Sequence, residues 1–158
     1  MTAWVEQLAD SLQPVLDLPL VRRTRRNHGL EHATIHLLAN RVKNLRMAGR
    51  SDGSGFVLMG EAPTEAIDAA VRDALRRMRN GEHHLAVHPN CGTNLVTTGM
   101  MTSAAALLGL AGANRRDVFN RFPTLMILMI AALIFSQPLG LSLQKYITTD
   151  GDPADLEI

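Results

Sequence analysis

Three segments in the first half of the chain carry apolar residues at the spacing of one helix face. The first covers residues 1–20, where apolar side chains recur every three or four positions. The second covers residues 27–43, and the third starts near Pro63 and ends at Asn80-Gly81, a pair that favours helix termination. The pattern predicts an N-terminal amphipathic helix, which either packs on the protein or lies in a membrane interface, and two helices of a folded domain.

Two short apolar runs lie between the second and third predicted helices. These runs are NLRMAG and FVLMG, and the turn between them, RSDGSG, is rich in Gly, Asp and Ser. This arrangement is typical of a β-hairpin. After the third helix, HHLAVHP predicts a final short strand. We therefore expect an α+β domain over residues 21–92, in the order helix, strand, strand, helix, strand.

The second half of the chain contains two long segments without formal charge. Residues 95–113 and 123–143 each reach the roughly 20 residues that a helix needs to cross a bilayer core about 30 Å thick. The second segment is strongly apolar, whereas several Thr and Ser residues in the first make a buried helix the alternative there. Small residues also recur at every fourth position of the first segment, at Ala105, Gly109 and Ala113, which would let two helices approach closely. The pattern predicts a two-helix transmembrane hairpin over residues 93–145.

Charge is unevenly distributed, although the formal net charge of the 158 residues is only +1. Residues 22–50 contain eight basic residues and one acid, Glu31. Such a segment can meet nucleic acid or anionic lipid headgroups, and the neighbouring hydrophobic segments favour lipid. After Tyr146 the only charged residues are acids, so we predict an acidic, disordered tail over residues 146–158. The expected partner is the lipid bilayer and not nucleic acid.

The segment HGLEHATIH places His28, His32 and His36 four residues apart within the second predicted helix. Residues four apart lie on one helix face, one turn apart, so the imidazoles of His28 and His32 can hold one metal ion. Glu31 lies beside His32, where its carboxylate could take a proton from a water molecule. HxxEH is the inverted form of the HExxH zinc motif. For His36 we expect a packing role or a hydrogen bond that supports a ligand.

A second segment, HPNCGTNL, supplies the further candidate ligands His88 and Cys91 from a turn bracketed by proline and glycine. A thiolate binds zinc well, and the metal itself favours deprotonation of the thiol. His28, His32 and Cys91 would leave a fourth position open, as in catalytic zinc sites, whereas addition of His88 would close the tetrahedron, as in structural sites. The sequence predicts one zinc ion and leaves both arrangements open.

The two motifs in this order resemble those of small bacterial membrane-protein families of unknown function. In those families an HGxEH helix is followed by an HPxCGT turn and then by hydrophobic helices. The resemblance covers residues 27–97 and implies an architecture more than an activity.

A more distant similarity is to S-ribosylhomocysteine lyase and the pitrilysin-type inverzincins, which are zinc metalloenzymes. It implies that His28 and His32 are ligands, that Glu31 is the catalytic base and that Cys91 is the third ligand. The substrate of the lyase does not carry over, because this domain is much smaller and is followed by hydrophobic helices that those enzymes lack.

Two functions are compatible with these observations. The first is a membrane-anchored zinc-dependent hydrolase, specifically a metallopeptidase that acts near the membrane surface on a peptide or a membrane-protein segment. The second is a non-catalytic accessory protein with a structural zinc site, because a domain of about 70 residues has a marginal core that a metal would stabilise.

The expected location is a bacterial inner or cytoplasmic membrane, with the metal domain facing the cytoplasm. The only cysteine, Cys91, excludes an intramolecular disulfide, and the N-terminal residues lack the basic-then-apolar start of a signal peptide. Loop arginines at 115, 116 and 121 argue for the opposite orientation, and those at 22–26 argue against it. The unpaired cysteine and the absence of a signal-peptide pattern therefore favour the cytoplasmic orientation.

Overall fold

The computed structural model describes residues 3–114 and 117–158, so Arg115 and Arg116, used above to weigh orientation, lie outside the described residues. The protein is mostly helical, with one small sheet. Its elements are α1 (Ala3–Leu16), α2 (Pro19–Ala39), β1 (Met47–Ser51), β2 (Phe56–Gly60), α3 (Thr64–Arg79), a 3-10 turn (His83–Ala86), α4 (Gly92–Leu110), α5 (Val118–Leu143) and a π-helical turn (Gln144–Thr148).

The chain divides into two compact units. Unit 1 comprises Met1–His88 together with Ser142–Ile158, and unit 2 comprises Pro89–Leu141. Unit 1 is therefore larger than the domain predicted over residues 21–92, since it also contains α1 and the C-terminal segment.

Helices α2 and α3 build the core of unit 1. Apolar residues on α2 recur three or four positions apart, which places them on one face toward α3. Ala33, Ala70 and Ala74 are fully buried, and such small side chains allow the two helix backbones to approach closely. The larger buried members of this core are Leu30, Leu37, Leu38, Leu75, Met78 and Leu85.

Strands β1 and β2 form the predicted antiparallel hairpin, with Met47 opposite Gly60 and Ser51 opposite Phe56. The Asp52 amide donates to the Gly55 carbonyl at 2.9 Å, and the Asp52 carboxylate accepts hydrogen bonds from the Ser54 amide and hydroxyl. These bonds are typical of a turn that an aspartate side chain stabilises. The hairpin packs against α2, and this contact brings β1 to the HxxEH motif.

The predicted third strand is wrong, because His83–Ala86 forms a 3-10 turn in the structure. The carbonyls of Ala86 and Val87 accept hydrogen bonds from the side chains of His32 and His36 on α2. These backbone acceptors are therefore satisfied by side chains instead of a neighbouring strand.

The C-terminal segment, predicted as a disordered tail, differs in the structure, where it packs on unit 1. Leu156 belongs to the hydrophobic core, and its carbonyl accepts a hydrogen bond from Arg79 at 2.7 Å. The carboxylate of Asp155 accepts a bond from Arg26 at 2.9 Å. The sequence showed the acids of this tail, but their partners are arginines far away in the chain.

In unit 2, α4 and α5 contact each other. The hydroxyls of Thr98 and Ser136 are 2.7 Å apart, and a Cβ added at Gly109 would lie 2.5 Å from a methyl carbon of Leu125. Gly109 thus allows the close approach that the small-residue spacing predicts. Within the described residues, one helical run, Val118–Thr148, is long and apolar enough to cross a membrane. A second crossing by α4 stays a prediction.

Candidate metal centre

One face of α2, which we call the histidine face, consists of His28, His32 and His36. Each ring has one nitrogen against a backbone carbonyl: His32 Nδ1 lies 2.8 Å from the Ala86 oxygen, and His36 Nε2 lies 2.9 Å from the Val87 oxygen. His28 Nδ1 lies 3.0 Å from the carbonyl oxygen of Thr148, in the π-helical turn. All three histidines are thus oriented by segments distant in the chain.

These contacts fix which nitrogen carries the proton. A carbonyl oxygen only accepts hydrogen bonds, so Nδ1 of His28 and of His32 must be the donor. In a neutral imidazole the lone pair then lies on Nε2, which is the atom that can ligate a metal ion. A ligating histidine that donates its other N–H to a carbonyl is typical of metal sites in proteins.

The structure brings His28 and His32 together with Cys91. One ligand atom from each of these residues lies within 4.8 Å of the other two, and the imidazole centroids of His28 and His32 are 4.4 Å apart. A tetrahedral zinc ion with bond lengths of about 2.0–2.3 Å separates its ligand atoms by roughly 3.3–3.8 Å, so the three groups need to close by about 1.5 Å at most. The His28/His32/Cys91 cluster could therefore bind a metal ion.

Cys91 occupies the N-cap position of α4. Its sulfur accepts a hydrogen bond from the Thr93 amide at 3.4 Å, and the side chain is buried. An amide donor and the positive end of a helix dipole both stabilise a thiolate, the form of cysteine that binds metal.

His88, the candidate for a fourth ligand, is outside this group of three. Its ring centroid lies 4.6 Å from that of His36 and 5.7 Å from that of His32. Burial lowers the pKa of His88 to about 4, with a further contribution from His36 and His32, so the imidazole is neutral at pH 7. A neutral ring is the form that ligates metal, and a role for His88 as a ligand stays a prediction.

Glu31 lies on an adjacent face of α2, which we call the hairpin face and which also contains Asn27. The Glu31 carboxylate accepts a hydrogen bond from the Ser51 hydroxyl, and the Asn27 amide donates to the Asp52 carbonyl at 2.7 Å. Glu31 is buried and lies so close to Gly49 that any side chain at position 49 would overlap the carboxylate. Glu31 is not in the group of three, so its role as a base stays a prediction.

The comparison with protein families decides the family of this chain. The family described as "Domain of unknown function (DUF6391)" matches residues 23–158. The chain belongs to the DUF6391 family. An uncharacterised protein of Picosynechococcus sp. is 31% identical over 134 residues, which cover 79% of this chain and 65% of that relative. No solved structure matches the chain.

The DUF6391 region includes both motifs and the candidate membrane helix, whereas α1 precedes it. It also includes two residues that the sequence analysis missed, Ser51 and Gln144. The buried Gln144 side chain accepts a hydrogen bond from the His88 amide at 2.9 Å. Neither residue has a local signal, because each lies more than fifteen positions from the group that it holds.

Proposed function

We propose that this protein is a membrane-anchored zinc-dependent hydrolase that acts near the membrane surface, with peptide-bond hydrolysis as the specific reaction. His28, His32 and Cys91 would hold one zinc ion. The observation that carries the proposal is the proximity of these three ligand atoms, which come from an HxxEH helix and a distant cysteine.

The donor set fits zinc. Two imidazoles and one thiolate are borderline-to-soft ligands, and a His₂Cys set with a fourth position open to water or substrate is found in catalytic zinc sites. When bound, zinc would polarise a substrate carbonyl and favour ionisation of a water molecule. The carbonyls of Thr148 and Ala86 favour the tautomer in which the Nε2 lone pair of each imidazole could bind zinc.

The role proposed for Glu31 is that of general base, as in other HxxEH enzymes. Its carboxylate lies beside His32 along α2 and accepts a hydrogen bond from the Ser51 hydroxyl, which fixes its position. A carboxylate at this position could later return the proton to the leaving amine of a peptide.

A contact between the candidate ligand His28 and the end of the candidate membrane span supports a substrate near the membrane surface. The helical run that could cross a membrane ends at Thr148, and the carbonyl of Thr148 accepts the hydrogen bond from His28. One ligand is therefore tied to the residue at which the candidate span ends. A peptide or membrane-protein segment at headgroup level would be within reach of such a site.

A structural zinc site is the second candidate. The observations that favour it are the engagement of the Glu31 carboxylate with Ser51 and the position of the neutral His88 ring beside His32. In that case His88 would complete a closed tetrahedron, and zinc would stabilise unit 1 without chemistry.

Zinc content of the purified full chain tests the site. We expect one zinc per chain in the wild type and its loss in His32→Gln and in Cys91→Ser. His84→Gln is the matched control, because His84 is exposed in the 3-10 turn and should leave zinc content unchanged. A wild type without zinc after purification in the absence of chelators, or variants that keep it, would contradict the site.

Glu31→Gln separates the two functions. Loss of a general base typically lowers a rate by about 10²–10⁴-fold, so hydrolysis of a fluorogenic peptide library should fall by that factor while zinc content stays at wild-type level. Equal hydrolysis by wild type and Glu31→Gln, or hydrolysis by neither, would reject the catalytic role and favour the structural one.

A further inference from the structure

Helix α1 is apolar on two adjacent sides, and unit 1 buries only one of them. Val5, Ala9 and Leu16 are buried. Trp4, Leu8 and Val15 are exposed by 53%, 41% and 53%, and we call these three residues the α1 stripe.

The exposed apolar side, the buried apolar side and the polar side of α1 occupy different sectors around the helix axis. At about 100° per residue, the three members of the α1 stripe fall within about 40° of one another. The buried residues follow at about 100–140° from Trp4, and the acids Glu6, Asp10 and Asp17 lie at about 200–240°. An exposed apolar stripe opposite a charged side is the amphipathic pattern of a helix that lies in a membrane interface.

The contacts of α1 within unit 1 support a location at a membrane interface. Helix α1 packs against the π-helical turn Gln144–Thr148, where the candidate membrane span ends. This turn contains Lys145 and Tyr146, with the Lys145 ammonium 4.8 Å from the centre of the Tyr146 ring. Tyr and Lys are residue types that favour the boundary between hydrocarbon and water.

From these contacts we propose that the α1 stripe binds the headgroup–acyl boundary of the bilayer on the side of the metal centre. The proposal rests on the membrane anchoring in the proposed function. Exposed Arg22 and Arg23, shortly after α1, would add attraction to anionic headgroups. By this contact α1 keeps the histidine face at the membrane surface, where a membrane-bound substrate is concentrated.

Lipid fits the α1 stripe better than a second copy of the chain does. A stable protein–protein interface buries about 800 Å² on each partner, far more than three half-exposed side chains supply. Tryptophan is also enriched where membrane proteins meet headgroups, because its ring is apolar and its N–H is a donor.

Trp4 is the only tryptophan of the chain, so its fluorescence reports on the α1 stripe in the full protein. We would reconstitute the protein into vesicles of phosphatidylcholine with phosphatidylglycerol that contain lipids brominated near either the top or the end of the acyl chain. An interfacial helix sits about 5–10 Å into the headgroup–acyl boundary, so bromines near the top should quench Trp4 more than bromines near the chain end. Iodide in the buffer should quench it little.

The double variant Leu8→Gln/Val15→Gln should lose at least half of the shallow quenching and shift the Trp4 emission to the red. Val57→Gln is the matched control, because Val57 is an exposed apolar residue on β2 and should change neither signal. Quenching of Trp4 by iodide and not by bromolipid would overturn the proposal. Shielding from both quenchers that disappears when the protein is diluted into excess lipid would show a second copy instead and would also overturn it.

Extraction with alkaline carbonate tests membrane anchoring separately from the lipid contact of α1. If the chain resists extraction while Trp4 faces water, the lipid contact of α1 is wrong and the anchor stands. If carbonate releases the chain while added vesicles still quench Trp4, the anchor is wrong and the lipid contact of α1 stands.

Discussion

The five residues of the HxxEH motif contribute to two faces of α2, the histidine face and the hairpin face. The side chains of these two faces bond to different segments of the chain. On the histidine face, imidazole nitrogens donate to the carbonyls of Thr148, Ala86 and Val87. On the hairpin face, Glu31 and Asn27 bond to Ser51 and to the backbone of Asp52. Adjacent positions on a helix therefore have different partners, and the candidate ligands and Glu31 can be altered one at a time.

Removal of zinc should have the largest effect on the histidine face. A ligand present at about 1,000 times its dissociation constant stabilises the folded state by about 4 kcal/mol, so a strong chelator should lower the melting temperature of the detergent-solubilised protein markedly. Differential scanning fluorimetry measures this shift. Cys91→Ser should melt low with or without the chelator, and a wild type that is insensitive to chelation would argue against a bound metal.

Gly49→Ala should have the next largest effect, and it acts on the hairpin face. The new Cβ would overlap the Glu31 carboxylate, and overpacking of this kind costs about 1–3 kcal/mol of unfolding free energy. Denaturant titration followed by circular dichroism would measure it. Gly99→Ala is the control, since a Cβ there meets no atom within 4 Å and should cause no loss.

If the two faces are independent, Gly49→Ala keeps its zinc. Loss of zinc from this variant would show instead that the hairpin face and the histidine face move together.

Ser51→Ala removes the hydroxyl that donates to Glu31 and leaves a buried carboxylate without this donor. We expect a loss of about 1–2 kcal/mol, because an unsatisfied buried polar group costs more than a solvated one. Ser54→Ala, in the exposed turn of the same hairpin, should cost less in the same titration. Equal losses for the two variants would mean that the Glu31 contact contributes little to stability.

The last prediction concerns the acid sensitivity of the chelated protein, which tests the His88 ring beside His32 and His36 without metal. The pKa of His88 is about 4 in the folded protein and 6.5 for the free side chain, so between these values only the unfolded chain takes up the proton. Stability should therefore fall as the pH drops from about 6.5 toward about 4. His88→Gln should flatten this decline, and an unchanged slope would contradict it.

Elements with a regular repeat of apolar side chains or with typical turn residues could be predicted directly from the sequence. The helix that carries HxxEH, the hairpin around RSDGSG and the helix Thr64–Arg79 form as expected, because side-chain periodicity and turn residues act over a few positions. The segment HHLAVHP does not form the predicted strand. Its short apolar alternation fits a strand, but the imidazoles of α2 satisfy its carbonyls.

The sequence by itself determined that His28 and His32 share one face of a helix, that residues 123–143 are apolar enough for a membrane, and that one cysteine is present. Only the tertiary structure decided which ring nitrogen each histidine presents, that Cys91 lies near both rings, and that Glu31 bonds to Ser51. Helical spacing fixes the direction of a side chain around its axis. The partner that it meets there comes from distant segments, and a backbone carbonyl has no signature in the sequence.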